Sequence, residues 1–358
     1  MPRTSRTAIF HGAGQPLELR TFDVPDLLSG SILVRVRACT ICGSDLHSFH
    51  GRRHVKTPTI LGHEISGTIE EFGPDAPQTD ISGQALRIGD RVTWSLCVSC
   101  GRCRYCTQEL PQKCERLAKF GHEELHPGWM LTGGLAEYCV LPVGTSVLRL
   151  PETIPDEVAC PLSCATATVA SALRAGGGAE SIVILGAGTL GVTACAMARQ
   201  GGARIVIASD RLEERMKVAQ EFGATHTCSS TMEDLRQFVS STTQGGADVV
   251  LEMSGTTPAI ELALGLVRTG GTIVLVGSVL PTPSVSIDPE MIVRRILTIR
   301  GVHNYAPCDL IEAVRFMERA QKDYPFADLV QARFPLDQVN EAFHFASEHP
   351  GVRVMVVP

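Results

Sequence analysis

Four cysteines, Cys100, Cys103, Cys106 and Cys114, stand within fifteen positions in the stretch SCGRCRYCTQELPQKCE. Three recur at three-residue intervals and the fourth follows eight residues later, so one short loop can gather four thiolates around an ion. Four sulfurs make the closed tetrahedral set of a structural zinc site. Packed free thiols or paired disulfides are the alternatives. Arg102, Arg104 and Lys113 interleave the cysteines, a composition poor for an apolar core and good for a charge-compensated lobe. A second group of soft ligands is spread more widely: Cys42 in CTICGSDLHSFHG, His63 in TILGHEISG and Cys164 in PLSCATATVASAL. One imidazole and two thiolates leave a zinc coordination position open, as catalysis requires. Taken singly, each has a plainer reading, the cysteines as small buried hydrophobes and the histidine as a satisfied core residue. Cys160, one helical turn before Cys164, competes with it for the third place.

The segment SIVILGAGTLG places Gly186, Gly188 and Gly191 after an apolar strand pattern and at the start of a helical one. In such a G-x-G-x-x-G turn the first glycine permits the tight bend and the second lets pyrophosphate approach the backbone. The third lets helix and strand pack closely. Thr189 and Leu190 open the helix whose N-terminus then faces phosphate charge. The next strand pattern, ARIVIAS, ends at Asp210, 19 residues beyond Gly191. A carboxylate there accepts ribose hydroxyls and repels a 2′-phosphate, which favours NAD over NADP. Arg211 blurs that preference, and Arg215, one turn on, is placed to flank the adenosine ribose. The plainer reading is a glycine-rich helix–strand contact without a ligand.

These residues need elements to position them. Residues 1–150 read as a β-rich, glycine-punctuated domain, with strands expected at Ile32–Val36, Gly67–Glu71 and Asp90–Trp94 and the cysteine lobe near 97–114. From Pro151 the rhythm changes to alternating strand and helix: Ser181–Leu185, Thr189–Gln200, Arg204–Ser209, Arg211–Phe222, Asp248–Glu252, Pro258–Val267 and Thr272–Val276. Such alternation gives βαβ units and a doubly wound parallel sheet over 151–299, an α/β architecture. Residues 300–358 add a helix at Pro307–Ala320 and a last strand at Gly351–Val357, and are assigned to the first domain. The 358-residue chain has room for about two domains. A net charge of −6 speaks against a general nucleic-acid binder. Thirteen cysteines, an odd number in a long chain, do not form a secreted disulfide framework. No apolar run reaches membrane-span length and the N-terminus lacks a signal-peptide core, so a cytoplasmic protein is expected.

The chain resembles the zinc-containing medium-chain alcohol dehydrogenases over nearly its full length. The likeness rests on C-x-x-S-D-x-H with GHE, the four-cysteine lobe, P-L-x-C-A-x-x-T, and the strand–GAGTLG–helix unit, in that order. The Cys2His set is the one known for catalytic zinc in alcohol dehydrogenase itself. The resemblance implies a GroES-like, β-barrel-type catalytic domain and a Rossmann domain, with the active site in the cleft between them. It implies two Zn2+ per subunit, catalytic on Cys42, His63 and Cys164 and structural on Cys100, Cys103, Cys106 and Cys114. Glu64 would sit behind or transiently on the catalytic ion, and Asp45 would orient His63. Ser44 and His47 match the proton relay, Ser44 touching the alkoxide and His47 passing the proton to solvent. Cys39, Cys97 and Cys139 are left as packing residues, although Cys97 is open to a place at the substrate.

The reaction implied is reversible hydride transfer from a zinc-bound alkoxide to NAD, giving an aldehyde or ketone. Directly after the relay histidine comes HGRRHVK, a cluster of Arg52, Arg53, His54 and Lys56. In this family that stretch borders the substrate, so Arg52 and Arg53 suit an alcohol bearing carboxylate, phosphate or phosphonate; a solvated loop is the plainer reading. A looser likeness runs to a subgroup associated with phosphonate metabolism. A threonine- or polyol-type dehydrogenase is the alternative, and a non-catalytic zinc module for protein or nucleic acid the remote one. No nucleic acid or membrane partner is expected, and the family implies a homodimer or homotetramer.

Overall fold

The β-branched run beginning at Ile32 forms a ten-residue strand, Ile32–Ile41, around which one sheet is organised. This computed structural model describes residues 3–228, 232–349 and 351–358. The sheet has eight strands, running Val330–Pro335, Arg353–Val357, Ile32–Ile41, Glu64–Phe72, Arg91–Val98 and Ala118–Lys119. Tyr138–Leu141 also pairs with Ile32–Ile41, and Thr145–Arg149 with Arg91–Val98. Two partners on one edge of a strand require the sheet to curl, and the curl encloses a core that includes Val34, Ile65, Trp94, Phe120 and Phe343. The expected strands at 32–36 and 67–71 are therefore parts of longer ones, and the one at 90–94 starts a residue later, at Arg91, and runs on to Val98. Candidate ligands stand at the ends of two of them, Cys42 just beyond Ile41 and His63 just ahead of Glu64.

Met1–Cys164, Ala306–Gln321 and Phe326–Pro358 make this unit. Residues 151–164 belong to it although the sequence rhythm changes at Pro151. The short helix Asp156–Ala159 is tied to the sheet where Asp156 accepts from Arg37, Ser66 and Arg91.

Ala165–Tyr305 and Lys322–Pro325 make the other unit. Its six-stranded parallel sheet runs His226–Thr227, Ile205–Ser209, Ser181–Leu185, Ala247–Glu252, Val267–Leu275, Thr298–Gly301. Numbered by chain order within the sheet this is 3-2-1-4-5-6, the doubly wound arrangement of a dinucleotide fold. Thr298–Gly301 pairs with Val267–Leu275 in this sheet, so the unit extends past residue 299. Strand Val267–Leu275 is longer than the expected Thr272–Val276 because the preceding helix stops at Leu266, with Val267 already extended at φ −79°, ψ 143°. Among the described residues no single helix is long and apolar enough to cross a membrane.

Candidate functional site

Cys42 sits where the strand Ile32–Ile41 turns into the helix Gly43–Phe49. Its N–H donates to Asp45 Oδ2 at 2.9 Å, and the Asp45 N–H returns to Cys42 O at 3.0 Å, so these two residues close the turn. The helix is anchored by Phe49, whose ring lies 5.0 Å from that of Phe343. His63 follows Gly62, where φ is +90° and a Cβ would stand 2.7 Å from Cys39 Sγ, so only glycine lets the chain turn here. Cys39 itself is fully buried, its thiol 3.7 Å from Thr40 O.

These turns bring donor atoms of Cys42, His63, Glu64 and Cys164 within 4.8 Å of one another. The sulfurs of Cys42 and Cys164 are 3.9 Å apart. A tetrahedral zinc with bonds of about 2.3 Å requires sulfurs about 3.8 Å apart, so the donor set fits the ion. Cys160 does not join them. It is fully buried against Ala38 and Met355, and its thiol donates to Ala38 O at 3.3 Å. Burial pushes its thiol up to about 12, and its direction, toward Ala38 O rather than Cys42, is what separates it from Cys164.

The electrostatics act on the donors in opposite directions. The shared thiol proton, donated from Cys164 toward Cys42, draws Cys42 well below the usual thiol range, helped by the Arg353 guanidinium 3.8 Å away. Cys164 is raised by the same contact and by burial. Burial would lower His63, but Asp45 and Cys42 outweigh it and hold the imidazole well above its ordinary value. His63 Nδ1 is 3.3 Å from Asp45 Oδ1 yet makes no aligned hydrogen bond. The distance and the mutual burial argue for attraction between the two groups. Nε2 faces Ser44 Oγ at 3.3 Å. His47, on the same helix, is half-buried; burial, Arg52 and Arg53 lower it, against an opposing pull from Cys42.

Glu64 is fully buried. Burial raises its carboxyl to about 7, opposed chiefly by Arg353. Arg353 grips both oxygens, Nε to Oε2 at 2.9 Å and Nη2 to Oε1 at 3.0 Å, while Thr40 donates to Oε2 at 2.6 Å. The two-pronged contact decides for the ion pair, because a guanidinium cannot shed its proton and a neutral Glu64 would leave a buried bare cation. Arg353 and Thr40 are residues that sequence reasoning missed. The only signal was an arginine inside the apolar strand GVRVMVV. His122 was missed too: its ring lies 5.3 Å from that of His63, with Nδ1 2.7 Å from Phe120 O.

Cys100, Cys103, Cys106 and Cys114 form a second group. Their sulfur separations are 4.0 Å for Cys100–Cys106, 3.5 Å for Cys103–Cys106 and 3.9 Å for Cys103–Cys114, again close to the tetrahedral edge. Backbone N–H groups of Cys100 and Arg116 point at Cys114 Sγ, each at 3.3 Å. Cys103 is drawn down to about 6 by backbone donors at Glu115 and Cys106.

In the other unit the three glycines have three different reasons. Gly186 has φ +100°, and a Cβ would crowd Ser254 at 3.0 Å. A Cβ on Gly191 would lie 2.0 Å from Gly186 O, whereas one on Gly188 would meet nothing within 4 Å. The middle position is thus open above the start of the helix Thr189–Gln200, where Thr189 and Leu190 present their amides. Asp210 Oδ2 accepts from Ala187 N–H at 2.8 Å, holding strand end to loop, and Arg215 Nη1 is 3.6 Å from the same oxygen. Glu252, fully buried beside Leu185, keeps Oε2 without a hydrogen-bond partner. Of the substrate candidates, Arg52 is exposed and Arg53 half-buried.

Comparison with known proteins agrees with this chemistry. Residues 29–152 match the alcohol dehydrogenase GroES-like domain, and residues 189–319 match the zinc-binding dehydrogenase model. The chain is 33% identical to a 5-exo-hydroxycamphor dehydrogenase of Pseudomonas putida, covering 90% of this chain and 91% of that one. It is 30% identical to an L-threonine 3-dehydrogenase of Bacillus subtilis, over 94% and 93% of the two chains. An alcohol dehydrogenase of Thermotoga maritima superposes with a TM-score of 0.91 at 28% identity, over 99% of this chain and 100% of that one. A zinc-binding dehydrogenase of Sinorhizobium meliloti bound to NADP gives a TM-score of 0.84 at 26% identity, over 99% and 100%.

Proposed function

Because the chain belongs to the zinc-containing medium-chain alcohol dehydrogenases, oxidoreductases acting on CH–OH groups, we propose that Cys42, His63 and Cys164 hold its catalytic zinc and that it oxidises an anionic alcohol with NAD. The observation that carries this reading is the 3.9 Å gap between the two thiols, with His63 and Glu64 in the same cluster. Zinc held there would supply Lewis acidity toward a hydroxyl group. The carbinol carbon gives up a hydride to the nicotinamide and its oxygen a proton to solvent, so alcohol and NAD+ become carbonyl, NADH and H+.

The chain's own residues handle position and proton. Asp45 orients His63 through its Nδ1 side. Ser44, a hydrogen-bonding neighbour of His63 Nε2, is placed to take the hydroxyl proton. His47, lowered below the ordinary imidazole value, is neutral at pH 7 and so can accept it. Glu64 and Arg353 offset one another's charge beside the proposed ligands. Cys100, Cys103, Cys106 and Cys114 would hold a second, structural zinc.

The Asp210 carboxylate, fixed at the end of its strand, supports NAD over NADP. The threonine-type reading is supported by several L-threonine 3-dehydrogenases among the relatives. That substrate also carries a carboxylate, but its ammonium would bring like charge toward Arg53. The test is a panel of hydroxy acids, hydroxyalkylphosphonates, L-threonine, polyols and simple alcohols, each with NAD and NADP. Expected is turnover with NAD, highest on anionic alcohols, and an NAD-to-NADP ratio that shrinks about tenfold or more in Asp210→Ala, as loss of charge repulsion implies. NADP preferred by the parent protein, or highest turnover on neutral alcohols, would count against it.

A further inference from the structure

Two cations beside the metal centre lack a counter-charge. Segments 52–59 and 119–125 are tied at three points: Lys56 Nζ donates to Glu123 Oε2 at 2.9 Å, Thr59 Oγ1 to Glu123 O at 2.7 Å, and Leu125 N–H to Pro58 O at 2.8 Å. The tie brings Arg53 and Lys119 to one place, next to His122. The His122 N–H donates to Lys119 O at 3.2 Å, and its ring is the one 5.3 Å from that of His63. The backbone N–H of Arg53 donates to His47 O at 3.0 Å, which sets the side chain near the relay histidine. Arg53 is close enough to act electrostatically on His47, Lys119 and His122 together.

Neither head group makes a hydrogen bond or ion pair among the described residues. This sets them apart from their neighbours. Lys56 has Glu123, and Arg353 has Glu64. In a groove of about 540 Å³ elsewhere on the same unit, Arg35, Arg37 and Arg333 are each matched by Glu70, Asp156 and Glu157. Lys119 is half-buried at the end of the two-residue strand Ala118–Lys119, opposite Cys97, and burial lowers its ammonium. Glu123, the carboxylate that favours its charge, is already occupied by Lys56. Two like charges, partly desolvated and unpaired, repel each other and oppose folding, so an anion arriving from outside is the missing partner.

We propose that Arg53 and Lys119 together form the seat for an oxyanion on the substrate, with Lys119 as a specificity-determining residue that the basic run of residues 52–56 does not contain. The inference rests on the dehydrogenase reading above. It moves the anion contact from Arg52, which is exposed, to a pair drawn from two segments. Two cations balance a doubly charged phosphonate or phosphate more fully than a carboxylate.

The experiment compares the parent zinc-loaded protein with Lys119→Met, Lys119→Arg and Arg53→Gln. Two quantities are measured: the ratio of kcat/KM for an anionic alcohol to that for the neutral diol of equal chain length, and calorimetric binding of methylphosphonate and of acetate. Expected in Lys119→Met and Arg53→Gln is a ratio at least about tenfold lower, as loss of a charge-assisted bond implies, with methylphosphonate binding weakened alike. Lys119→Arg retains most of both. Parent protein that binds methylphosphonate more tightly than acetate identifies the doubly charged group; the reverse identifies the carboxylate. Ratios and binding that are unchanged in both charge-removing variants would overturn the proposal while leaving the dehydrogenase reading intact. Should the parent protein oxidise no alcohol with either cofactor, the dehydrogenase reading fails, and methylphosphonate binding across the same variants still decides the seat.

Discussion

A guanidinium is costly to bury without a counter-ion, and Arg353 shows how a cluster of candidate ligands depends on residues outside it. It neutralises Glu64 through two bonds and lies 3.8 Å from Cys42 Sγ. Arg353→Met leaves the fully buried Glu64 charge uncompensated, a loss of about 3–5 kcal/mol. Urea denaturation of the metal-loaded protein is expected to show it as a lower midpoint at constant slope. A midpoint equal to that of the parent protein would show that the pair contributes nothing net. The grouping of Cys42, His63 and Cys164 was legible in the sequence because soft donors in three short motifs have few other uses as a set. Arg353 was not, because one arginine in an apolar strand has no spacing to read. Cys160 and Cys164 could be separated only by geometry: one points to Ala38 O, the other to Cys42.

At the scale of elements, the helices Thr189–Gln200 and Pro307–Ala320 have the bounds their periodicity implied. The strand Val267–Leu275 does not, since an apolar run such as LALGLV suits a helix end and a strand start equally. The short helix Asp156–Ala159 was not legible either, for its place is set by long-range charge. Asp156 accepts from Arg37 at 3.0 Å, from Arg91 at 2.8 Å and from Ser66 at 2.9 Å. Burial would raise this carboxyl, but those three partners prevail and hold it below its ordinary value. A depressed folded value means that the stabilisation is fully present above the unfolded pKa of about 3.9 and is lost as pH falls through the folded one. Asp156→Asn is therefore expected to cost about 1–3 kcal/mol at pH 7 and to lose less further stability than the parent between about pH 5 and about pH 2. Equal acid slopes for the two proteins would contradict the assignment.

At the scale of the whole molecule, alternation of strand and helix after Pro151 disclosed the doubly wound sheet, and glycine-punctuated strands disclosed the curled one. What was not legible is how stretches of chain return to a unit: residues 151–164, 306–321 and 326–358 join the first unit through contacts that local patterns do not encode. Both thiol clusters belong to that unit, one of mixed sulfur, nitrogen and oxygen donors and one of sulfur alone. The most direct measurement is elemental zinc per chain taken together with NADH formation for the parent protein, Cys164→Ser and Cys160→Ala. Expected are two zinc ions, one for each cluster, in the parent and in Cys160→Ala, both active. Cys164→Ser should carry one and form no NADH, while NAD still binds. Full zinc content and undiminished NADH formation in Cys164→Ser would contradict the assignment of the catalytic centre.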